Sequence, residues 1–246
     1  MRKILIIISS LLCLQSCDNT TLPSGSELLS KAIEAHGGME AWQSVAAIAY
    51  KKRIVVFEED GTISSDVTQH ILYRFQPVFS GKMWWLSDGV MHQVVFDGQQ
   101  TQGYKDSIPD NTLEGKKEAF NTFMASYVTF AQPFKLSTDK AVLTTEQKII
   151  HKGKSLYRVR VAYPDVEGEN KDVWWYFFDV QDHRVAANLV LHNGRYSFIE
   201  NTAYDTKTPF VFNAARQSSF TDSLLQNPVL RANYQLSDIE VALVND

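Results

Sequence analysis

Cysteine is almost missing from this chain: of 246 residues only Cys13 and Cys17 carry a thiol, and both lie near the start. A domain built from the residues after them has no disulfide, no Cys-ligated metal and no Cys nucleophile, so its core alone must hold it together. A second long apolar run is also lacking; crossing ~30 Å of hydrocarbon takes about 20 helical residues. Basic excess is absent too. The net charge is −4, and two of the cations, Arg2 and Lys3, belong to the extreme N-terminus. Nucleic acid and anionic membrane surfaces both demand basic patches, which excludes them as main partners. The six histidines, at 36, 70, 92, 151, 183 and 192, never fall two, three or four residues apart, and no His-Glu-x-x-His occurs. A local metal site is therefore unsupported. No Gly-rich phosphate loop or Gly-x-Ser-x-Gly elbow is present, and no cofactor is expected.

What the chain does have at its start is a leader. Met1-Arg2-Lys3 precedes the apolar run Ile4–Cys13, the charged and apolar parts of a secretory signal. Leu14-Gln15-Ser16-Cys17 follows and resembles the lipobox of bacterial lipoprotein signal peptides. That resemblance implies cleavage before Cys17 and acylation of that residue, and two or more chains anchor a protein stably. Residues 1–16 are thus expected to be removed and 17–25, punctuated by Pro23 and Gly25, to form lipidated Cys17 and a tether. Residues 26–246 are expected to form a single domain in the cell envelope. Asp18 would favour inner-membrane retention under one sorting rule.

Ser24 with Glu27 is a capping-box pattern. The following helix shows Leu28/Leu29 and Ala32/Ile33 on one face and stops at Gly37-Gly38, with one more turn at 39–42. His36 is read as a helix-terminal residue, where a cation suits the dipole. From Ile48 the period changes to two. Ile48, Tyr50, Ile54 and Val56 alternate with Lys51 and Arg53, Asp60-Gly61 turns the chain, and runs at 67–75, 82–86, 91–96 and 101–104 follow. Residues 113–129 read as an amphipathic helix that Pro133 ends. Strands resume at 148–151, 156–163, 173–178, 185–191 and, after Asn193-Gly194, 196–204. Phe210–Phe220 reads as a last strand, with a tail of short helix and a possible edge strand at 238–244. Closely spaced turns between short runs predict an antiparallel meander.

Two strands break the alternation. Met83-Trp84-Trp85-Leu86 and Val173-Trp174-Trp175-Tyr176-Phe177-Phe178 are apolar on both faces, so both faces must be covered. Either helices cover them fully or a curved sheet lines an apolar cavity. The segment Ala35-His36-Gly37-Gly38-Met39-Glu40-Ala41-Trp42, the turn Val95-Phe96-Asp97-Gly98 and the strand end Trp175–Asp179 resemble LolA/LolB-like envelope proteins. The resemblance implies an α+β fold: a strongly curved, unclosed antiparallel half-barrel with helices covering its concave face. It also implies an acyl chain or other hydrophobic ligand as partner, a non-catalytic role and an outer-membrane location. The soluble carrier of that family has no anchor, so Cys17 makes this chain more like an anchored receptor or an orphan relative. Candidate cavity residues are Trp84, Trp85, Phe120, Met124, Tyr127, Trp174, Trp175 and Tyr176; parity does not say which Trp of each pair faces inward. An alternative is an envelope lipoprotein with a filled core that docks a protein partner. A hydrolase needs a convergent site that the sequence does not show. Ser137-Thr138-Asp139-Lys140 fits Ser-x-x-Lys without its companion motifs. Glu58-Glu59-Asp60 and the stretch Asp165, Glu167, Glu169, Asp172 read as solvated loops rather than cation sites.

Overall fold

The computed structural model describes residues 21–139, 141–163 and 172–244. The leader, Cys17 and Asp18 lie outside the described residues, as do Asp165, Glu167 and Glu169.

Helix α1 (Gly25–Ala35) and the single turn α2 (Met39–Gln43) lead into six strands. These are β1 (Val45–Phe57), β2 (Ile63–Arg74), β3 (Ser80–Ser87), β4 (Val90–Phe96), β5 (Thr101–Lys105) and β6 (Ile108–Asp110). Helices α3 (Leu113–Phe130) and α4 (Phe134–Thr138) come next. The second half is β7 (Val142–His151), β8 (Lys154–Ala162), β9 (Val173–Asp179), β10 (Val185–His192), β11 (Arg195–Asp205), β12 (Phe212–Thr221) and β13 (Val229–Leu243). One sheet holds every strand among the described residues, in the order β6-β5-β4-β3-β2-β1-β13-β12-β11-β10-β9-β8-β7. It is an antiparallel, curved sheet whose edges β6 and β7 do not pair, which is the expected α+β half-barrel. The first strand and the last meet at its centre. The chain leaves at one edge and re-enters at the other, so α3 and α4 must cross the concave face.

The tail is a correction to the sequence reading. It is not a helix with an edge strand but a 15-residue central strand between β1 and β12. Asp238 sits at φ +52°, and the β1–β13 register shifts between Ala49 and Lys51, which breaks the period-two pattern there. β7 starts at Val142 rather than 148, and Ser137 lies in the short helix α4.

Local chemistry explains the helix ends. Ser24 Oγ accepts from the Glu27 N–H at 3.1 Å and Thr112 Oγ accepts from the Gly115 N–H at 3.0 Å, each satisfying a first-turn donor. The return half of the predicted capping box is not made, because the Glu27 carboxylate pairs with Lys31 at 2.7 Å. After α1 the Gly38 N–H bonds back to Ile33 O, with Gly37 at φ +120° and a hypothetical Cβ there 2.8 Å from the Phe210 ring. Only glycine meets both demands.

Aromatic packing fills most of the concave side. Trp42 stacks on Phe134 at 4.4 Å, Tyr50 on Phe130 at 4.3 Å, and Phe123 meets Tyr73 edge-on at 5.4 Å. β9 is apolar on both faces because both are covered. Tyr176 and Phe178 join the concave core, whereas Trp175 and Phe177 join a second cluster with Leu156, Leu189 and Phe198 on the convex side. That outer cluster is roofed by Leu225 and by Arg158, whose guanidinium lies 4.8 Å from the Trp175 ring centre.

Close packing makes Gly81 on β3 sensitive. A Cβ there would stand 2.6 Å from Leu72 O and 2.8 Å from Phe123 Cζ. Gly81→Ala is expected to cost about 1–3 kcal/mol, as overpacking of a filled core does. The check is a lowered urea midpoint at unchanged slope; an unmoved midpoint would show that the backbone yields there.

Candidate functional site

Beneath the C-terminal half of α3 a cavity of about 380 Å³ is left between helix and sheet. Sites for small molecules run from about 300 to 1,000 Å³. The helix presents Thr122, Ala125, Ser126 and Thr129 to it, at the i, i+3, i+4, i+7 spacing of one face. These side chains are too small to fill the gap, while Phe123 and Tyr127 on the adjoining face are packed into the core. Across the cavity stand Tyr50 and Ile54 of β1, Met83 of β3, Trp174 of β9, Val190 of β10 and Ile199 of β11.

Three cations interrupt this wall: the exposed Arg231 of β13, whose guanidinium lies 5.4 Å from the Phe220 ring centre, and two set deeper, Lys52 and Arg216. Lys52 lies between Tyr50 and Ile54 on the inward parity of β1, its ammonium 5.7 Å from the Tyr234 ring centre. It is surrounded by protein and meets solvent through the cavity; burial, and next the charge of Arg216, bring its pKa down to about 8. It remains mostly protonated at neutral pH. Arg216 of β12 is 8% exposed, and its pKa is lowered by burial. Its Nη2 donates to Asn188 Oδ1 at 2.8 Å and its Nη1 reaches Thr129 O at 3.4 Å, near the negative end of α3. Its Nε has no partner, and neither do Gln69 Oε1 or both side-chain polar atoms of Asn213, all in the same wall. No carboxylate among the described residues lines the cavity. Tyr50 cannot supply a negative charge either, since burial pushes it up to about 12.

Of the eight residues singled out from the sequence, Trp174 stands in this wall and the other seven do not. Trp85 shares the inward face with Met83 but stacks on His92 at 5.3 Å beside the core, and Trp84 points outward onto His70 at 5.2 Å. Phe120 is 46% exposed. Met124 and Tyr127 pack in the core, Trp175 is on the convex side donating to Glu146 Oε2 at 3.0 Å, and the buried Tyr176 hydroxyl accepts from Gln132 Nε2 at 3.1 Å. Lys52 and Arg216 were missed. Strand parity was the available signal for Lys52, a cation on the face of Tyr50 and Ile54; the small-residue face of α3 was the other.

Elsewhere among the described residues, several polar groups with chemical potential carry structural contacts. Ser137 Oγ donates to Phe134 O at 2.8 Å. His192 pairs with Asp172 at 2.6 Å on the exposed surface, with Asn193 rather than a serine on its other nitrogen. Asp60 accepts from the N–H and hydroxyl of Thr62 in an exposed hairpin tip. Among the described residues, no group of three or more His, Cys, Asp or Glu could hold a metal and no helix is long and apolar enough to cross a membrane.

The sheet, its crossing helices and the space between define a class: the fold is that of the LolA-like half-barrels. A LolA superfamily protein from Nitrosomonas europaea superposes with a TM-score of 0.57 at 10% identity, over 90% of this chain and 94% of the other. A DUF1329 family protein from Desulfovibrio piger gives 0.59 at 5% identity, over 89% and 94%. A putative outer membrane lipoprotein-sorting protein domain from Vibrio parahaemolyticus gives 0.52 at 9%, over 88% and 92%. The sequence matches no family model and no curated protein. The likeness read from the sequence thus holds at the level of fold.

Proposed function

We propose that this chain is an envelope lipoprotein, anchored through Cys17, that holds an acyl chain or other apolar molecule in the cavity beneath α3 and performs no chemistry on it. The observation that carries this is the cavity: about 380 Å³ left unfilled in an otherwise closely packed concave face. A protein that used its interior only as scaffold would fill it, since each unfilled site costs packing energy. The names of the fold relatives, a LolA superfamily protein and a lipoprotein-sorting domain, support an envelope setting. In this reading residues 1–16 are the cleaved leader, 17–25 the lipidated tether and 26–246 one domain. Outer-membrane placement is the preferred location.

Native mass spectrometry with lipid extraction tests the reading on the chain produced without its leader and with Cys17→Ser, so that neither anchor nor detergent competes. A bound fatty acid or lipid is expected, and Ala125→Phe, which fills the cavity from α3, should release it. A clean apo mass together with no uptake of an uncharged fluorescent apolar probe would sink the proposal. Pull-downs of envelope proteins would then test the docking alternative.

A further inference from the structure

We infer that the cavity selects a single-chain amphiphile with an oxyanion head, carboxylate or phosphate ester, and that Lys52 and Arg216 bind that head inside the protein. This rests on the ligand-holding reading and names its ligand class.

Two like charges on neighbouring walls of an apolar cavity are costly, because desolvation and mutual repulsion both oppose them. Proteins bury charge with a partner or a use for it. Here the described residues offer no carboxylate: Lys52 has only the Tyr234 ring, and Arg216 has the Asn188 amide and one long contact to a helix carbonyl. The Arg216 Nε–H and the Asn213 amide, from a residue only 4% exposed, stand as spare donors in the same wall. An oxyanion between Lys52 and Arg216 would answer the excess charge through charge-assisted hydrogen bonds from the ammonium and the guanidinium. The apolar side of the cavity, Met83, Trp174, Val190 and Ile199, then meets the chain. A volume near the low end for small-molecule sites suits one chain better than two or three.

The test is competitive displacement of N-phenyl-1-naphthylamine, an uncharged probe, from the leaderless Cys17→Ser chain. The competitors are oleate, oleyl alcohol, oleoyl lysophosphatidate and inorganic phosphate. Oleate, lysophosphatidate or both are expected to bind at least tenfold tighter than the alcohol, in keeping with hydrogen bonds to charged groups. Whichever of the two binds more tightly identifies the head. In Lys52→Met/Arg216→Met that preference should shrink to less than threefold while alcohol affinity stays within twofold. Thermal unfolding of the apo variant should be unchanged or raised, because an uncompensated charge pair has gone.

Equal binding of oleate, lysophosphatidate and alcohol to the unaltered chain would overturn the oxyanion proposal and leave the carrier reading standing. Failure of the lipids to displace a probe that itself binds would overturn the oxyanion proposal alone, and failure of the probe and of every lipid to bind would overturn both. Inorganic phosphate displacing the probe as well as the amphiphiles would reassign the cations to a free anion. A double variant that melts much lower would make the cations structural; Lys52→Gln, which keeps a polar group at the wall, then decides, since undiminished selectivity in it refutes the proposal.

Discussion

Below pH 6 this protein is expected to lose stability through one buried imidazole, His36 at the end of α1. Its Nδ1 lies 2.6 Å from Val211 O and its Nε2 3.2 Å from the Val185 N. A backbone N–H can only donate, so Nε2 accepts, and the single ring proton sits on Nδ1 and donates to Val211 O. The neutral ring thereby ties α1 to β10 and to the chain entering β12. Protonation would set N–H against N–H. Burial is the main cause that brings the pKa from 6.5 down to about 4, and the charge of Arg184 assists. The unfolded chain therefore binds this proton more readily than the folded one between pH 4 and 6.5. Stability contributed here is complete above about 6.5 and falls as pH drops toward 4, by about 2 kcal/mol at pH 5 and about 3 kcal/mol at the limit. Urea unfolding at pH 7.5 and 5.0, for the native chain and for His36→Gln, measures it. The native chain should lose about 2 kcal/mol more than the variant across that interval. Equal losses would show that His36 is not the titrating group.

That result also bears on what the sequence could say. The Gly37-Gly38 stop placed His36 at a helix end, and the helix dipole argued for a cation there. Its protonation state was set instead by Val185 and Val211, residues about 150 and 175 positions away, which no local pattern brings near. Most strands were legible because period two and Asp-Gly or Asn-Gly turns are local signals. β13 was not, since the irregularity at Asp238 breaks its alternation. The candidate site was the least legible part. Large aromatics were sought as lining, yet large side chains fill space; the cavity exists where α3 carries Thr, Ala and Ser. Trp174, named from its doubly apolar strand, stands in the wall beside that space.

Phe123→Ala is expected to be the most damaging single change in the crossing helix, at about 3–5 kcal/mol. Phe123 is fully buried, with ring contacts to Tyr73 at 5.4 Å, Phe96 at 5.3 Å and Phe79 at 6.0 Å, and Gly81 leaves room for it on β3. Tyr73 and Phe96 are fixed by the sheet and cannot collapse into the void, so transfer and cavity costs add. Phe120, three residues earlier and 46% exposed, supplies the contrast: Phe120→Ala should cost less than about 0.5 kcal/mol. The pair also separates anchoring of α3 from ligand contact, because neither side chain lines the cavity. If Phe123→Ala, still folded at low temperature, loses the uncharged probe while Phe120→Ala keeps it, then α3 must be seated on the sheet for the cavity to hold a guest. If both retain the probe, the cavity walls are set by the strands alone, and the helix serves as cover.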